Sequence, residues 1–330
     1  MYVNIFDYID EKYVFNFFVG GRGIGKTYSV LKEIYEREIP FLYLRYSSVE
    51  VDISVAADMF KQFGDDVTYD SKDGIYIFYK GEDEDKHRIG YAASLSTFKT
   101  KRGVDFSDVE LIFFDEFIPE IGSRQLIKYP GDCFLNLYET VNRNREFSGK
   151  NPVMVICCAN SNNIANPLMQ DLKLTTIAED LMREEKEFYH NEDRSLQLAL
   201  LKSDPEFLAK KQETVLYKFA TGDFTEMALN NLFAYNDFSN VKTIDLKGYK
   251  PIMCVKDHFT VYQKKGEKQF LCYPHNNIQV PIFDLDSDIE KQEMKRRYFI
   301  YFNAQYYKNN FRFTTYDVKN TFINNFILKR

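Results

Sequence analysis

The sequence predicts an α/β fold with a mainly parallel central sheet, then a helical linker and a small α+β domain. Three observations predict it. Short apolar stretches alternate with helical patterns along the first half, as buried parallel strands between covering helices do. One such stretch, Tyr13 to Val19, runs into a glycine-rich loop and then a helix, and another, Val109 to Glu116, ends in two adjacent acids. Towards the end the pattern changes to short strands with tight turns, closed by two helices. The expected division is residues 1–200, 201–245 and 246–330.

The chain is organised around F-F-V-G-G-R-G-I-G-K-T, Phe17 to Thr27. Gly20, Gly25, Lys26 and Thr27 meet the pattern G-x-x-x-x-G-K-[ST] of a phosphate-binding loop. Glycine lets the backbone wrap a phosphate without a Cβ in the way. Loop amides and the following helix N-terminus then point donors at the anion. The candidate ATP contacts are therefore Gly20, Gly21, Arg22, Gly23, Ile24, Gly25, Lys26, Thr27 and Tyr28. Lys26 would reach the β- and γ-phosphates, and the Thr27 hydroxyl would ligate Mg²⁺. The bland alternative is a glycine-rich turn that binds nothing. The apolar strand before the loop, and the helix free of Gly and Pro from Lys26 to Arg37, speak against it.

Residues 1–12 lead into this unit, and Tyr2, Phe6 or Tyr8 would stack on a nucleobase or simply pack. Phe41 to Arg45 predicts a second buried strand. Arg45 ends it where open α/β sheets place ligands, with a surface salt bridge as the alternative. Apolar spacing predicts a helix within Asp52 to Phe63, and Gly74 to Tyr79 and Arg88 to Ala93 read as strands around a solvated tip, Gly81 to Lys86. The loop Ser94 to Gly103 is basic. Lys99, Lys101 and Arg102 are candidates for DNA phosphates or a neighbouring subunit's nucleotide, against a merely solvated loop.

Asp115 and Glu116 then form a Walker B arrangement, Asp115 for Mg²⁺ and Glu116 as the general base that polarises the attacking water. An acid directly after the Asp marks the ASCE branch of P-loop ATPases, in which an additional strand separates the two motifs. Asp132 is expected to cap a helix through about Thr140. Arg143 and Arg145 follow where an arginine finger would stand, and a surface pair closing the helix is the alternative. Val153 to Cys158 reads as a buried strand with Cys157 and Cys158 as core filler. Asn160 beyond it is a γ-phosphate or water sensor, or an Asx turn.

Met169 to Met182 reads as extended or mixed, Lys186 to His190 as a last strand of this sheet, and Asp204-Pro205 as the start of a helix that stops near Gly222. Ile252 to Lys256, Phe259 to Lys264 and Gln269 to Tyr273 predict a meander, with a fourth strand near Ile278 to Phe283. Helices Ile289 to Asn309 and Thr315 to Leu328 close the chain. The run Lys295, Arg296, Arg297 is a solvated face or a nucleic-acid contact.

Composition narrows the function. With 330 residues, 45% hydrophobic and 28% charged, the chain reads as soluble and globular. No membrane span and no secretory signal are expected. Five Cys without C-x-x-C spacing argue for reduced thiols and against a zinc site. A net charge of −6 argues against a protein that coats DNA generally, since such proteins are usually basic, so any nucleic-acid contact must follow a local basic track.

Together G-G-R-G-I-G-K-T, the basic loop ending in R-G, L-I-F-F-D-E-F, and E-T-V-N-R-N-R-E followed by a strand and A-N-S resemble the DNA-packaging ATPases of tailed phages, most of all the short phi29-like type. The resemblance is detailed over about the first 170 residues and looser beyond. It implies ATP and Mg²⁺ held by Lys26, Thr27 and Asp115, with Glu116 catalytic and Arg143 acting in trans. Arg102 would act in trans or track DNA, and Arg22 stands where terminases also carry a basic residue. It implies a homo-oligomeric ring, pentameric in known members, that threads double-stranded DNA into a procapsid through its portal, with a structural RNA as a further partner. The place implied is the host cytoplasm, docked transiently on the procapsid. The family's C-terminal domain resembles an RNase H-like nuclease. Here the first strand offers only Asp257, while Asp284, Asp286 and Asp288 sit together in a later loop, and no acidic triad stands on successive strand ends, so a trimmed domain without nuclease activity is expected, binding procapsid, portal, RNA or DNA. Competing readings are a helicase or assembly ATPase on the same fold, and a nucleotide-gated binding module that hardly turns over.

Overall fold

Strand β1, Phe15–Gly20, is hydrogen-bonded along both edges, and the first part of the chain is laid out around it. The computed structural model describes residues 2–98, 104–119, 127–219, 238–242 and 244–327. They fall in two units, Met1–Asn236 and Asp237–Arg330. In the first unit β1 is followed by α1 (Lys26–Arg37), β2 (Phe41–Arg45), α2 (Ser48–Ala56), β3 (Val67–Lys72), β4 (Ile75–Lys80), β5 (His87–Ser94) and β6 (Leu111–Asp115). Then come α3 (Pro130–Asn142), β7 (Met154–Asn160), α4 (Pro167–Asp171), α5 (Thr175–Arg183), β8 (Phe188–Asn191), β9 (Leu196–Leu201), α6 (Pro205–Gln212) and α7 (Val215–Phe219).

The described strands of this unit form one sheet in the order β3-β4-β5-β2-β6-β7-β1-β9-β8. From β5 to β9 every neighbouring pair is parallel, and antiparallel pairing is confined to the two ends. The predicted α/β class with a mainly parallel sheet is therefore the class observed. Strand β7 lies between β1 and β6, so the strand carrying the loop and the strand carrying the paired acids are next-but-one neighbours.

Local chemistry explains where elements begin. Gly25, at φ 101°, turns the chain into α1, which buries Val30, Leu31 and Ile34 and stops where Glu38 enters the left-handed region. Helix α2 starts at Ser48, ahead of the expected Asp52, because Ser47 and Glu50 make a reciprocal capping box. Helix α3 starts at Pro130, which suits the first helical position. Asp132 lies inside its first turn and is not the cap. The stretch expected to be extended or mixed, 169–182, is helical instead. Asn166 caps α4 by accepting from the Met169 amide at 3.1 Å, and Pro167 follows it. The sheet also continues past the strand expected near His190: β9 pairs with β1 in parallel, and β8 folds back on β9. Cys157 and Cys158 are buried.

The sheet is packed tightly enough to give a sharp test. A Cβ added to Gly90 on β5 would lie 2.4 Å from the Phe41 ring and 2.6 Å from its carbonyl oxygen. Phe41 is fixed between Phe60 and Phe78. Gly90→Ala is expected to destabilise the unit by about 1–3 kcal/mol through overpacking, seen as a lower urea midpoint by circular dichroism.

The second unit runs β10 (Tyr249–Val255), β11 (Phe259–Lys264), β12 (Phe270–Tyr273), β13 (Ile282–Phe283), α8 (Asp288–Tyr307), β14 (Phe311–Phe313) and α9 (Tyr316–Phe326). Its sheet order is β13-β10-β11-β12-β14. β10 to β12 form the expected antiparallel meander, while β13 joins β10 and the unexpected β14 joins β12 in parallel. Much of the aromatic content is here, with Phe322 at the centre, 4.4 Å from Phe311 and 6.0 Å from Phe302 between ring centroids. The buried Lys319 ammonium donates to the Ser239 carbonyl at 2.7 Å, which satisfies a charge that apolar packing alone would reject. Asp257 sits in the β10–β11 turn, bonded to Asn276, and Asp284 is paired with Lys256 at 2.8 Å. Among the described residues no group of three or more His, Cys, Asp or Glu could hold a metal ion. Among them also no helix is long and apolar enough to cross a membrane.

Candidate active site

The loop between β1 and α1 closes on its own lysine. Gly23 and Gly25 take φ values of 79° and 101°, which side chains with a Cβ resist. Lys26 Nζ donates to the Gly20 and Gly21 carbonyls at 3.1 and 2.7 Å and to Asn160 Oδ1 at 3.3 Å. Asn160 reaches this point because the parallel register pairs it with Gly20 across β1 and β7. Burial lowers the Lys26 ammonium to about 8, with Asp115 opposing part of the shift. An anion placed beside this desolvated ammonium would favour its charged form.

The paired acids arrive from β6. Asp115 is buried, and Thr27 Oγ1 donates to its Oδ1 at 2.9 Å across 88 residues of sequence. Its Oδ2 accepts from the Tyr43 hydroxyl at 3.2 Å and from Arg45 Nη1 at 3.1 Å. Arg45 Nη2 also reaches Glu116 Oε2 at 2.5 Å. Burial opposes the charge on Arg45, but Tyr43, Asp115 and Glu116 outweigh it and hold the guanidinium above its ordinary value. Burial and Asp115 together push the Tyr43 phenol up. Glu116 stands in the left-handed region at φ 52°, where a residue with a Cβ is strained by roughly 1 kcal/mol or more. Such strain persists when surroundings hold a group in one orientation.

Lys26, Thr27, Asp115 and Glu116 face one cavity of about 560 Å³, lined also by Tyr2, Arg22, Gly23, Gly25, Tyr28, Gln62, Ala159 and Asn160, with Tyr43 and Arg45 behind the acids. The volume suits a nucleotide-sized ligand. Gly20, Gly21 and Ile24 belong to the loop without lining the cavity: the first two offer carbonyls to Lys26, and Ile24 turns into the core. Of the three aromatics in the lead-in, Tyr2 lines the cavity, whereas Phe6 packs on the core and Tyr8 stacks on Phe188.

Arg143 and Arg145 are separated by their partners. Arg143 caps α3 in the left-handed region, is half exposed, and pairs with the exposed Asp105 at 3.0 Å. Arg145 donates to the Val109 and Ser107 carbonyls at 2.8 and 2.9 Å and so braces the approach to β6. Neither lines the cavity of its own chain. Lys99, Lys101 and Arg102 lie outside the described residues. Sequence reasoning left Arg45 between a ligand contact and a surface pair. It is instead a mostly buried cation shared by both acids, which follows from β2 lying beside β6. Gln62 was not singled out, and no motif marks it.

Comparison with known proteins gives the relatives of this site. The family model described as Podovirus DNA encapsidation protein (Gp16) matches residues 1–261. The DNA packaging protein of Bacillus phage phi29 is 27% identical over 227 residues, covering 67% of this chain and 62% of that protein. The match thus spans under two thirds of the curated relative's length. The DNA packaging protein of Bacillus phage B103 is 31% identical over 163 residues, 47% of this chain and 46% of that protein. Two solved structures share the fold nearly end to end. The bacteriophage Phi-29 viral genome packaging motor assembly has a TM-score of 0.65 at 20% identity, covering 97% of each chain. The Phi-28 gp11 DNA packaging motor has a TM-score of 0.61 at 19% identity, covering 100% of this chain and 98% of that one. With the glycine-rich loop, the paired acids and the R-N-R turn all inside the matched stretch, this chain belongs to the podovirus DNA encapsidation protein (Gp16) family.

Proposed function

We propose that this chain is the ATP-hydrolysing subunit of a viral DNA-packaging motor, driving double-stranded DNA into a procapsid. One observation carries the reading: Lys26, Thr27, Asp115 and Glu116, drawn from two distant segments, meet in a single cavity. A module that only binds nucleotide need not hold all four. The position of β7 between β1 and β6 supports assignment to the ASCE branch. The packaging role is what the names of its relatives suggest for this chain.

The residues fit ATP and Mg²⁺. Gly25 gives the left-handed turn that opens α1, and a Cβ on Gly20 would lie 3.0 Å from Ile24 and from Leu201, so the loop tolerates no bulk there. Thr27 and Asp115 supply the hard oxygen donors that Mg²⁺ takes alongside phosphate oxygens and water. Bound there, the ion would neutralise charge on the phosphates. Lys26 would bind the β- and γ-phosphates, and Asn160, already bonded to Lys26, would stand beside the terminal one. Glu116 would take the proton of the attacking water, with Arg45 paired to its Oε2 and orienting it. Arg143, exposed at the surface and away from its own cavity, would act on the nucleotide of a neighbouring copy in a ring. Tyr2 and Tyr28 are the aromatic surfaces open to a base.

The second unit is read as a trimmed RNase H-like domain that binds and does not cut. Its meander with β13 parallel to β10 supports the comparison. Asp284 is neutralised by Lys256, and Asp257 is tied to Asn276. DNA nicking with Mg²⁺ or Mn²⁺ that depends on Asp257 would reject this part.

The whole reading is tested by ATP-dependent protection of long double-stranded DNA from nuclease. Protection is expected with procapsids present and not without them, and its absence in both conditions rejects a packaging role. Binding itself carries a pH signature. Lys26 is lowered to about 8 in the chain alone, and a polyanion favours its charged form. Binding therefore takes up a proton above that pH, and ATP affinity is expected to fall as pH rises through about 8, by up to tenfold per unit. Calorimetry in buffers of different ionisation enthalpy reads the uptake directly. The same depressed value stabilises the fold as pH rises between it and the ordinary lysine value, so lost affinity there is not lost structure.

A further inference from the structure

Helix α6 brings a second ammonium to the phosphate loop. Lys211, in its last turn, donates to the Arg22 carbonyl at 2.5 Å, reaching back 189 residues. The same nitrogen lies 4.0 Å from where a Cβ on Gly23 would stand, and 5.7 and 5.2 Å from the Phe207 and Tyr217 ring centres. Phe207, also on α6, packs against Tyr2 at 5.7 Å, and Tyr2 lines the cavity over Gly25. The helix buries none of its residues fully, so these contacts are a large part of what seats it.

The geometry says which end of a bound nucleotide Lys211 faces. The start of α1 and the loop amides hold the inner phosphates, and the loop lysine reaches the outer ones. Lys26 Nζ lies against Gly20 and Gly21, so the outer phosphates belong to that half of the loop, and Arg22 is the next residue. Burial, and then Arg22, hold the Lys211 ammonium below its ordinary value. A cation kept among other cations gains most from the ligand with the greatest negative charge.

We propose that Lys211 is a specificity-determining residue that reads the terminal phosphate, favouring triphosphate over diphosphate and holding α6 more firmly on the loop when the triphosphate is bound. This rests on the cavity being a nucleotide site. Because α6 follows β9 directly, the device would convert nucleotide state into the order of the segment beyond the sheet.

The test measures binding of Mg²⁺ with ADP and with a non-hydrolysable ATP analogue to the full chain by calorimetry, and amide hydrogen exchange over residues 205–219. In the unaltered chain the analogue, and not ADP, is expected to slow exchange there. Lys211→Ala is expected to weaken the analogue on the order of tenfold, the size of one charge interaction at partial screening, with ADP changed less than about twofold. It is also expected to abolish the added protection, while Lys211→Arg retains both effects. Equal weakening of both nucleotides, an unchanged ratio, or protection that survives Lys211→Ala overturns the proposal. An unaltered chain that binds neither nucleotide rejects the underlying site as well.

Discussion

Glu116→Gln is expected to leave ATP binding intact and to lower turnover by a factor of about 10²–10⁴, the usual worth of a positioned general base. The substitution keeps the volume of the side chain and an oxygen for Arg45, so the buried guanidinium retains a partner. What is lost is the ability to take a proton. Asp115, Thr27 and Lys26 are untouched, and their mutual bonds do not involve Glu116. Single-turnover phosphate release and equilibrium binding separate the two steps. Unchanged release would remove Glu116 from the chemistry. Loss of binding would mean that the Arg45 pair holds the site's shape and does not orient a base.

Arg143→Ala is expected to cost about 10³–10⁵ in turnover, the range for an arginine acting on the transferring phosphoryl group, again with ATP binding kept. Its partner in this structure is the exposed Asp105, and an exposed pair of this kind contributes roughly 0–1 kcal/mol to stability, so the fold is expected to be unaffected. Arg145→Ala is expected to behave differently. Two carbonyls ahead of β6 lose their donor, and a stability loss of about 1–2 kcal/mol should accompany any loss of activity. Arg143→Ala retains a sound loop, and Lys26→Ala retains a sound arginine. Mixing the two is expected to restore part of the turnover if the arginine serves a neighbour's nucleotide. No recovery at any ratio rejects action in trans.

The contrast between these two arginines shows where sequence reading stops. R-N-R marks both, and only the side-chain partners, exposed acid in one case and backbone carbonyls in the other, assign them different tasks. Met169 to Met182 failed for a local reason. Asn166-Pro167 starts the short α4, whereas α5 has no side-chain cap to mark its start, although Thr175, Ala178 and Leu181 recur at helical spacing on its buried face. Strand β9 was missed because a short apolar run does not reveal that it will pair with β1.

By itself the sequence determined the glycine-rich loop between a strand and a helix, the paired acids, the buried strands carrying them and the parallel α/β class. Each depends on residue type at short spacing: glycine where φ turns positive, an apolar run where a strand is buried on both faces, acids at a strand end. The tertiary structure alone decided that Asn160 meets Lys26, that Arg45 bridges both acids, and that Lys211 reaches Arg22. Those contacts join segments whose separation is fixed by strand order and register, and strand order is settled by the packing of the whole sheet, which no short stretch of sequence encodes.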